Sequence, residues 1–505
     1  MRFLTVLVLI FLMSACGGSV KKDLKPSTDW VEGEYLPSKN FANICIDPRQ
    51  NNDYQDLLGN YQDENSWIRS WSHETYLWYN ELPDIDPASI KDPIDYFDRM
   101  KTSAKTSNGL PKDRFHYTQS TEEYEHYKKS GVSIGYGASF TISFDPTRVF
   151  INFTELNSPA RRAGILRGDE VIKVNNQIIS DINSQEGFDI LFNAAFPSKI
   201  GDSHSFVIRQ NNLEPKETYA VTLKSDAIIE SPLYENSLIE INGKKIGYIV
   251  LNTFAVTTAE KKLIDMINNF KKDQIDELIL DLRYNPGGFL AISAELSTMI
   301  AGLEASNHTF TQLVYNDKLS VNNQAYEFPK KALGIEKNSP YEGQALPTLN
   351  IPRVYVITTN NTASASESLI NGLRGIDFEV VLIGGSTHGK PYGWVPRDNC
   401  GITYSAIQFK MANAKGFSDY NDGFIPVPPD SDNTKEKVKG CVVLDDYSRN
   451  LGDRHEKMLS TAIYHIENNS CPTTLANINN MTSHPLSKMR GEVLKRFPNK
   501  GLLLQ

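Results

Sequence analysis

No CxxC pair and no cysteine–histidine ligand spacing occurs anywhere in the 505 residues, so a zinc site is not expected. Charge of neither sign gathers into long runs, and the net charge is −9. Nucleic acid is therefore not an expected partner, because phosphate binding calls for a concentrated basic surface. Internal repeats are missing, which sets aside a solenoid or propeller. Beyond the first residues no segment is apolar enough to cross a bilayer. What remains is a chain long enough for three folded units with substantial cores.

The first residues are the exception to this polarity. Met1-Arg2 precedes an apolar run from Phe3 to Met13, which ends in Ser14-Ala15-Cys16. The run is too short to span a membrane and reads as a signal peptide. Small residues directly before cysteine resemble a bacterial lipobox, although Met13 stands where leucine is commonest. Cys16 is thus expected to become the lipidated first residue, with residues 17–42 as a polar tether. Gly17, rather than aspartate, fits sorting to an outer membrane, so an exported lipoprotein facing the periplasm or the cell surface is expected. Removal of the leader leaves Cys45, Cys400, Cys441 and Cys471. An even count in an exported protein permits two disulfides, with three connectivities open. The expected pairs are Cys400 with Cys441, closing the loop around Asn421-Asp422-Gly423, and Cys45 with Cys471, tying the amino-terminal region to the core.

Chemistry concentrates in two places. Pro352 to Thr359 reads as a buried strand, and Leu369-Ile370-x-x-Leu373 as part of an amphipathic helix. Thr362-Ala363-Ser364-Ala365-Ser366-Glu367 lies between them, and Gly389-Lys390 follows later. Ser364-x-x-Glu367 also has the form of a capping box, a structural role that suits Glu367. A hydroxyl at a strand-to-helix junction faces a positive helix end, where an oxyanion can also be held. An alcohol needs a partner to take its proton, and a lysine can serve only when uncharged. A drop of three units in a lysine's pKa corresponds to about 4 kcal/mol, which demands a dry, electropositive cleft. The second place is the strand Glu277 to Arg283, running into Tyr284-Asn285-Pro286-Gly287-Gly288. Paired glycines let the chain turn sharply and leave amides bare. The amides of Gly287 or Gly288 and of Ala365 are the candidate oxyanion donors.

D-L-R-x-N-x-G-G, then T-A-S-A-S-E, then G-K resembles the carboxyl-terminal processing, or tail-specific, serine peptidases, in order and in spacing, across roughly residues 230–470. The resemblance implies a Ser–Lys dyad on a crotonase-like ββα core, with Ser364 as nucleophile and Lys390 as base, and no cofactor or metal. Ser366 is then packing or capping. Many members carry a glutamine four residues after the lysine, orienting it; here Trp394 stands there, and its indole nitrogen cannot accept a hydrogen bond. His388 is better read as a wall residue than as a rival base.

Upstream, Ser158-Pro159-Ala160-Arg161-Arg162-Ala163-Gly164-Ile165-Leu166-Arg167-Gly168-Asp169 resembles the core of bacterial PDZ domains. Ile134-Gly135-Tyr136-Gly137 matches their carboxylate-receiving loop, and such domains bind peptides by strand addition. The expected class is a multidomain α/β protein. Its parts are the leader (1–16), the tether (17–42), a helical amino-terminal domain (43–128), a PDZ domain (129–225), a peptidase core (226–470) and a carboxyl-terminal extension (471–505). The aromatic stripe of Trp67, Trp71 and Trp78 is expected in a core. Expected partners are a protein or peptide with a free carboxyl-terminal tail, the membrane through the lipid, and a regulatory adaptor or a second copy. Two other classes fit some of these features: a non-catalytic PDZ-containing scaffold lipoprotein, favoured by Trp394, and a crotonase-like acyl-transfer enzyme, disfavoured by export.

Overall fold

A computed structural model describes residues 30–473, except 52, 107–108, 145, 212–216 and 429–434, together with the backbone of Glu492–Leu494. The leader, with Cys16, lies outside the described residues. Among those described, no helix is long and apolar enough to cross a membrane.

A seven-stranded sheet is the centre of the molecule. Its order is Leu233–Ile241, Lys244–Leu251, Glu277–Asp281, Arg353–Thr358, Glu379–Gly384, Lys437–Val442 and Ile425–Val427. The first pair is antiparallel and the others are parallel. Side chains of one strand alternate between two faces: Ile249 and Leu251 join one core cluster, Tyr248 and Val250 the other. Thr258–Asp273, Leu290–Ala301 and Ala365–Gly375 cover the first face through Leu263, Ile264, Leu296, Leu369 and Leu373. Lys457–Asn468 covers the opposite face through Met458, Leu459, Ala462 and Ile463. That helix begins at Lys457 because Glu456 caps it, accepting from the Leu459 amide at 3.0 Å.

A second, antiparallel sheet holds Thr218–Lys224, Ser203–Arg209, Glu170–Val174, Arg148–Thr154 and Ala138–Ser143 in that order, with Glu492–Leu494 added beyond the last. The Gln185–Ala195 helix packs on it through Leu191 and Ala194. Val132–Gly135, which leads into the Tyr136-Gly137 turn, pairs instead with Asp226–Ile229. The protein is therefore a mixed α/β multidomain chain.

The amino-terminal helix Tyr61–Thr75 does bury Trp67 and Trp71, but their cluster is not self-contained. It takes in Trp394, Tyr404, Ala406 and Ile407 from beyond Lys390. The strand Tyr117–Ser120 also pairs with Ile402–Ser405.

Both expected disulfides are corrected. Cys45 bonds Cys400, with Cα atoms 5.3 Å apart, and Cys441 bonds Cys471 at 5.7 Å. The reason lies in the packing around each pair. The Asn43 amide donates to Asn399 Oδ1 at 2.8 Å and Arg49 pairs with Asp398 at 2.9 Å, so the amino-terminal segment lies along the 397–404 hairpin. Cys441 sits inside the central sheet, where the chain leaving the Lys457–Asn468 helix returns.

Candidate active site

Ser364 occupies the N-cap of the Ala365–Gly375 helix with φ 58° and ψ −113°, a left-handed backbone that costs a serine roughly 1–3 kcal/mol. Such strain persists only where the surroundings hold it. The Ala363 amide donates to Asn285 O at 3.1 Å, and Ser366 Oγ donates to the same carbonyl at 3.1 Å. Thr362 Oγ1 donates to Leu282 O at 2.8 Å. Ser364 is fully buried, and its Oγ makes no hydrogen bond. Glu367 supplies its half of the capping box, accepting from the Ser364 amide at 2.9 Å. Ser366 is structural, as its place in the motif implied.

The glycine turn sits directly against this serine. A Cβ on Gly287 would lie 2.8 Å from Ser364 Cβ and 2.9 Å from Ala365 N, and one on Gly288 would lie 2.2 Å from Ala255 N. Both also have positive φ, 104° and 140°, so only glycine fits either position. Asn285 fixes the turn, its Nδ2 donating to Leu251 O at 3.0 Å and its Oδ1 accepting from the Gly287 amide at 2.9 Å. That bond occupies the Gly287 N–H. The amides of Gly288 and Ala365 are the other two candidate donors.

Glu367 joins the serine to the lysine. Oε2 accepts from the Ser364 amide at 2.9 Å and from the Lys390 amide at 2.8 Å. Oε1 accepts from the Gly389 amide at 2.7 Å and from Thr387 Oγ1 at 2.6 Å. One carboxylate oxygen thus holds the two backbones together. Burial pushes the Glu367 carboxyl up, and its four donors oppose that shift.

Lys390 is buried, and its Nζ lies 3.3 Å from the centre of the Trp394 ring and 5.1 Å from that of Phe115. At the position where many members of the resembled family carry a glutamine, an aromatic face therefore meets the amine. Arg114 gave no signal in the sequence. Its Nη2 donates to the carbonyls of His388, Gly389 and Asn421 at 3.0, 3.3 and 2.9 Å, binding together the loops behind Lys390. Burial pulls the Arg114 guanidinium down, while the Glu367 carboxylate raises it. His388 turns Nδ1 onto Asn360 O at 3.0 Å and its ring toward Phe115, a wall position.

Of the other expected site residues, Ile134 and Gly135 end a strand, Tyr136 is buried with its hydroxyl 2.6 Å from His204 Nδ1, and Gly137 turns at φ 71°. All four line a cavity of about 620 Å³ that extends to Tyr284 and Pro286, beside the glycine turn. Cys45, Glu64 and Cys400 bring metal-ligand atoms within 4.8 Å of one another, but both sulfurs are consumed in a disulfide.

The model of peptidase family S41 matches residues 245–414, and that of the S41 amino-terminal domain matches residues 63–117. A carboxyl-terminal-processing protease of Picosynechococcus sp. is 28% identical over 346 residues, 67% of this chain and 73% of that protein. Carboxy-terminal processing protease CtpA of Bacillus subtilis is 28% identical over 233 residues, 46% of this chain and 42% of its own length. A solved structure described as an S41 protease of Bacteroides fragilis covers 83% of this chain and 99% of its own, with a TM-score of 0.60 and 23% identity, so the two share a fold. With a serine junction, a glycine turn and a lysine loop assembled inside the matched region, the chain carries an S41 peptidase domain over residues 245–414, and its homologues indicate a serine-type endopeptidase.

Proposed function

We propose that the chain cleaves proteins or peptides near their carboxyl termini through a Ser364–Lys390 dyad. The observation that carries this reading is the Glu367 carboxylate, one oxygen of which accepts from the amides of both residues while the Ser364 hydroxyl stays unbonded. Neutral Lys390 accepts the hydroxyl proton as Ser364 Oγ attacks the scissile carbonyl. The amides of Gly288 and Ala365 receive the oxyanion, a contribution of several kcal/mol. Lysine then returns the proton to the leaving amine. Water attacks the resulting ester, releasing the new carboxylate and restoring the serine.

The crotonase-like arrangement of the core and the PDZ character of residues 129–225 belong to the same reading. The Tyr136-Gly137 turn and the Ala138–Ser143 strand are taken as the edge that receives a peptide by strand addition. Export with a lipid on Cys16, at an outer membrane facing the periplasm or the cell surface, completes it, and an adaptor or a second copy is left as a regulator. The decisive test is Ser364→Ala. Parental protein is expected to react with a serine-directed fluorophosphonate and to hydrolyse a tail peptide. The variant is expected to do neither while melting within about 2 °C of the parent. Parental rates in the variant would remove Ser364 from the reaction.

A further inference from the structure

A lysine serves as a base only while uncharged, so its surroundings must disfavour the proton. Trp394 and Phe115 help to keep the Lys390 amine dry, but an aromatic face attracts a cation rather than opposing one. An opposing charge comes from outside the matched peptidase region. Arg114 lies in the segment matched by the S41 amino-terminal domain, and it shares the Phe115 ring with the lysine. Its Cζ lies 4.8 Å from the ring centre and Lys390 Nζ lies 5.1 Å from it, so the two groups are at most about 10 Å apart.

The corner that carries Arg114 is held from both sides. Asp113 is buried, its Oδ1 accepting from the amides of Phe115 and His116 at 3.0 and 3.1 Å and its Oδ2 from Tyr76 Oη at 2.6 Å. The His116 ring meets Phe97 O through Nε2 at 3.0 Å. The corner is thereby tied to Tyr76, which ends the Tyr61–Thr75 helix, and to the Pro93–Arg99 helix. From it, Arg114 Nη2 reaches the carbonyls of His388, Gly389 and Asn421. Two of these belong to the residues just before Lys390, so the guanidinium holds the lysine's own loop.

Other charged and titratable groups surround the pair. Glu367, Asp422, Tyr392 and Asp113 all act on Arg114, and Glu367 also accepts from the Lys390 amide. Glu367 and Asp113 face donors of their own. His388 precedes the lysine by two residues, with Nδ1 on Asn360 O. A guanidinium stays a cation throughout the range in which these groups titrate.

We propose that Arg114 is a positioning residue of the dyad: it pins the 388–390 loop and holds a fixed positive charge near Lys390 that favours the uncharged amine. The amino-terminal segment is then part of the catalytic unit rather than an appendage to it. The proposal rests on the Ser364–Lys390 reading.

The experiment follows fluorophosphonate labelling of the full chain from about pH 5 to about pH 10, read by mass spectrometry of the peptide that contains Ser364. Labelling calls on the base but needs no bound tail. The parent is expected to show an acidic limb, where Lys390 gains its proton. Arg114→Met is expected to move that limb up by about one pH unit, as loss of a unit charge within about 10 Å does, and to lower the limiting rate at high pH at least about tenfold. Arg114→Lys restores the charge but not the fork, so its limb is expected to return to within about 0.3 unit of the parent's while its limiting rate stays low. His388→Asn is expected to leave the limb in place; a limb that disappears there assigns the titration to the imidazole and overturns the proposal. An unshifted limb in a folded Arg114→Met chain also overturns it. Thermal melts accompany each variant, and if Arg114→Met does not fold, a parental limiting rate in Arg114→Lys overturns the clamp instead. A parent that never labels at Ser364 overturns the dyad itself, a failure seen before any Arg114 variant is compared.

Discussion

At the scale of single residues, the least expected feature is the ring beneath the lysine. A glutamine would hold an amine through one directed hydrogen bond. Trp394 holds it through a face, 3.3 Å from Nζ to ring centre, in a contact typically worth about 0.5–2 kcal/mol. An aromatic face accepts N–H groups from charged and neutral amines alike, so it orients Lys390 without accepting its proton. The indole Nε1 makes no hydrogen bond among the described residues, so the ring is there for packing and for its face. Trp394→Phe is therefore expected to keep most of kcat. Trp394→Leu is expected to lower kcat by about tenfold or more with KM nearly unchanged, because in the proposed dyad Lys390 acts on the reacting hydroxyl rather than on the rest of the substrate. Trp394→Leu is also expected to destabilise the fold by about 2–4 kcal/mol, as loss of a fully buried ring does. Steady-state kinetics and thermal melts read the two effects separately. Equal kcat in Trp394→Leu and the parent would mean that the ring only packs.

At the scale of elements, the site is a junction of three chain segments: the Glu367 carboxylate holds the serine turn to the lysine loop, and the Asn285 carbonyl joins the glycine turn to the serine turn. The strand Arg353–Thr358 leads into the Ser364 turn, Glu277–Asp281 leads into the glycine turn, and Glu379–Gly384 leads to the lysine loop. These are adjacent parallel strands, so their carboxyl ends open on the same edge of the sheet. Glu367→Gln tests the clamp. A glutamine offers one acceptor oxygen, and its amide nitrogen would face two donors that now have a partner. An unsatisfied buried donor costs roughly 1–3 kcal/mol, so a clear drop in melting temperature is expected. A fall of at least about 100-fold in kcat/KM should accompany it, as the Lys390 loop separates from the serine turn. This much of the site was legible because each part is local: a strand pattern followed by its own turn motif. Arg114 was not legible, since it reaches loops some 270 residues away in sequence and stands in no motif. The strands Thr309–Tyr315 and Phe409–Ala412 were missed for a related reason, because each is defined by pairing with the other across a long separation.

At the scale of the whole molecule, the question is what binds the antiparallel-sheet unit to the central-sheet unit. Arg167 supplies much of the answer. From a buried position it donates to Tyr284 Oη at 2.6 Å, to Asn152 O at 3.0 Å and to Asp445 Oδ1 at 2.6 Å. Arg283 meets the same Asp445 oxygen at 2.7 Å and forks onto Glu456 at 3.0 Å through both of its terminal nitrogens. Asp445 is thus one acid between two guanidiniums from different units. In the sequence nothing marked Arg167 or Asp445, because ion pairing between distant segments leaves no periodic trace; the disulfide partners eluded reading for the same reason. Burial alone would raise the Asp445 carboxyl, but Arg167 and Arg283 outweigh it and hold the group down at about 2. A carboxylate held below its unfolded value of about 3.9 stabilises the fold above pH 4, by about 2–3 kcal/mol, and loses that contribution as pH falls toward 2. Arg167→Met keeps most of the unbranched apolar stem and removes the guanidinium charge. The variant is expected to be about 3–5 kcal/mol less stable than the parent at pH 7, as when one partner of a buried pair is lost. The two should converge as pH falls from 4 toward 2, because a protonated Asp445 has little left to gain from the guanidinium. Denaturant titrations at pH 7, 4, 3 and 2.5 measure that gap directly. A gap that stays constant across the series would mean that Arg167 joins the units through packing and carbonyl contacts rather than through its charge on Asp445.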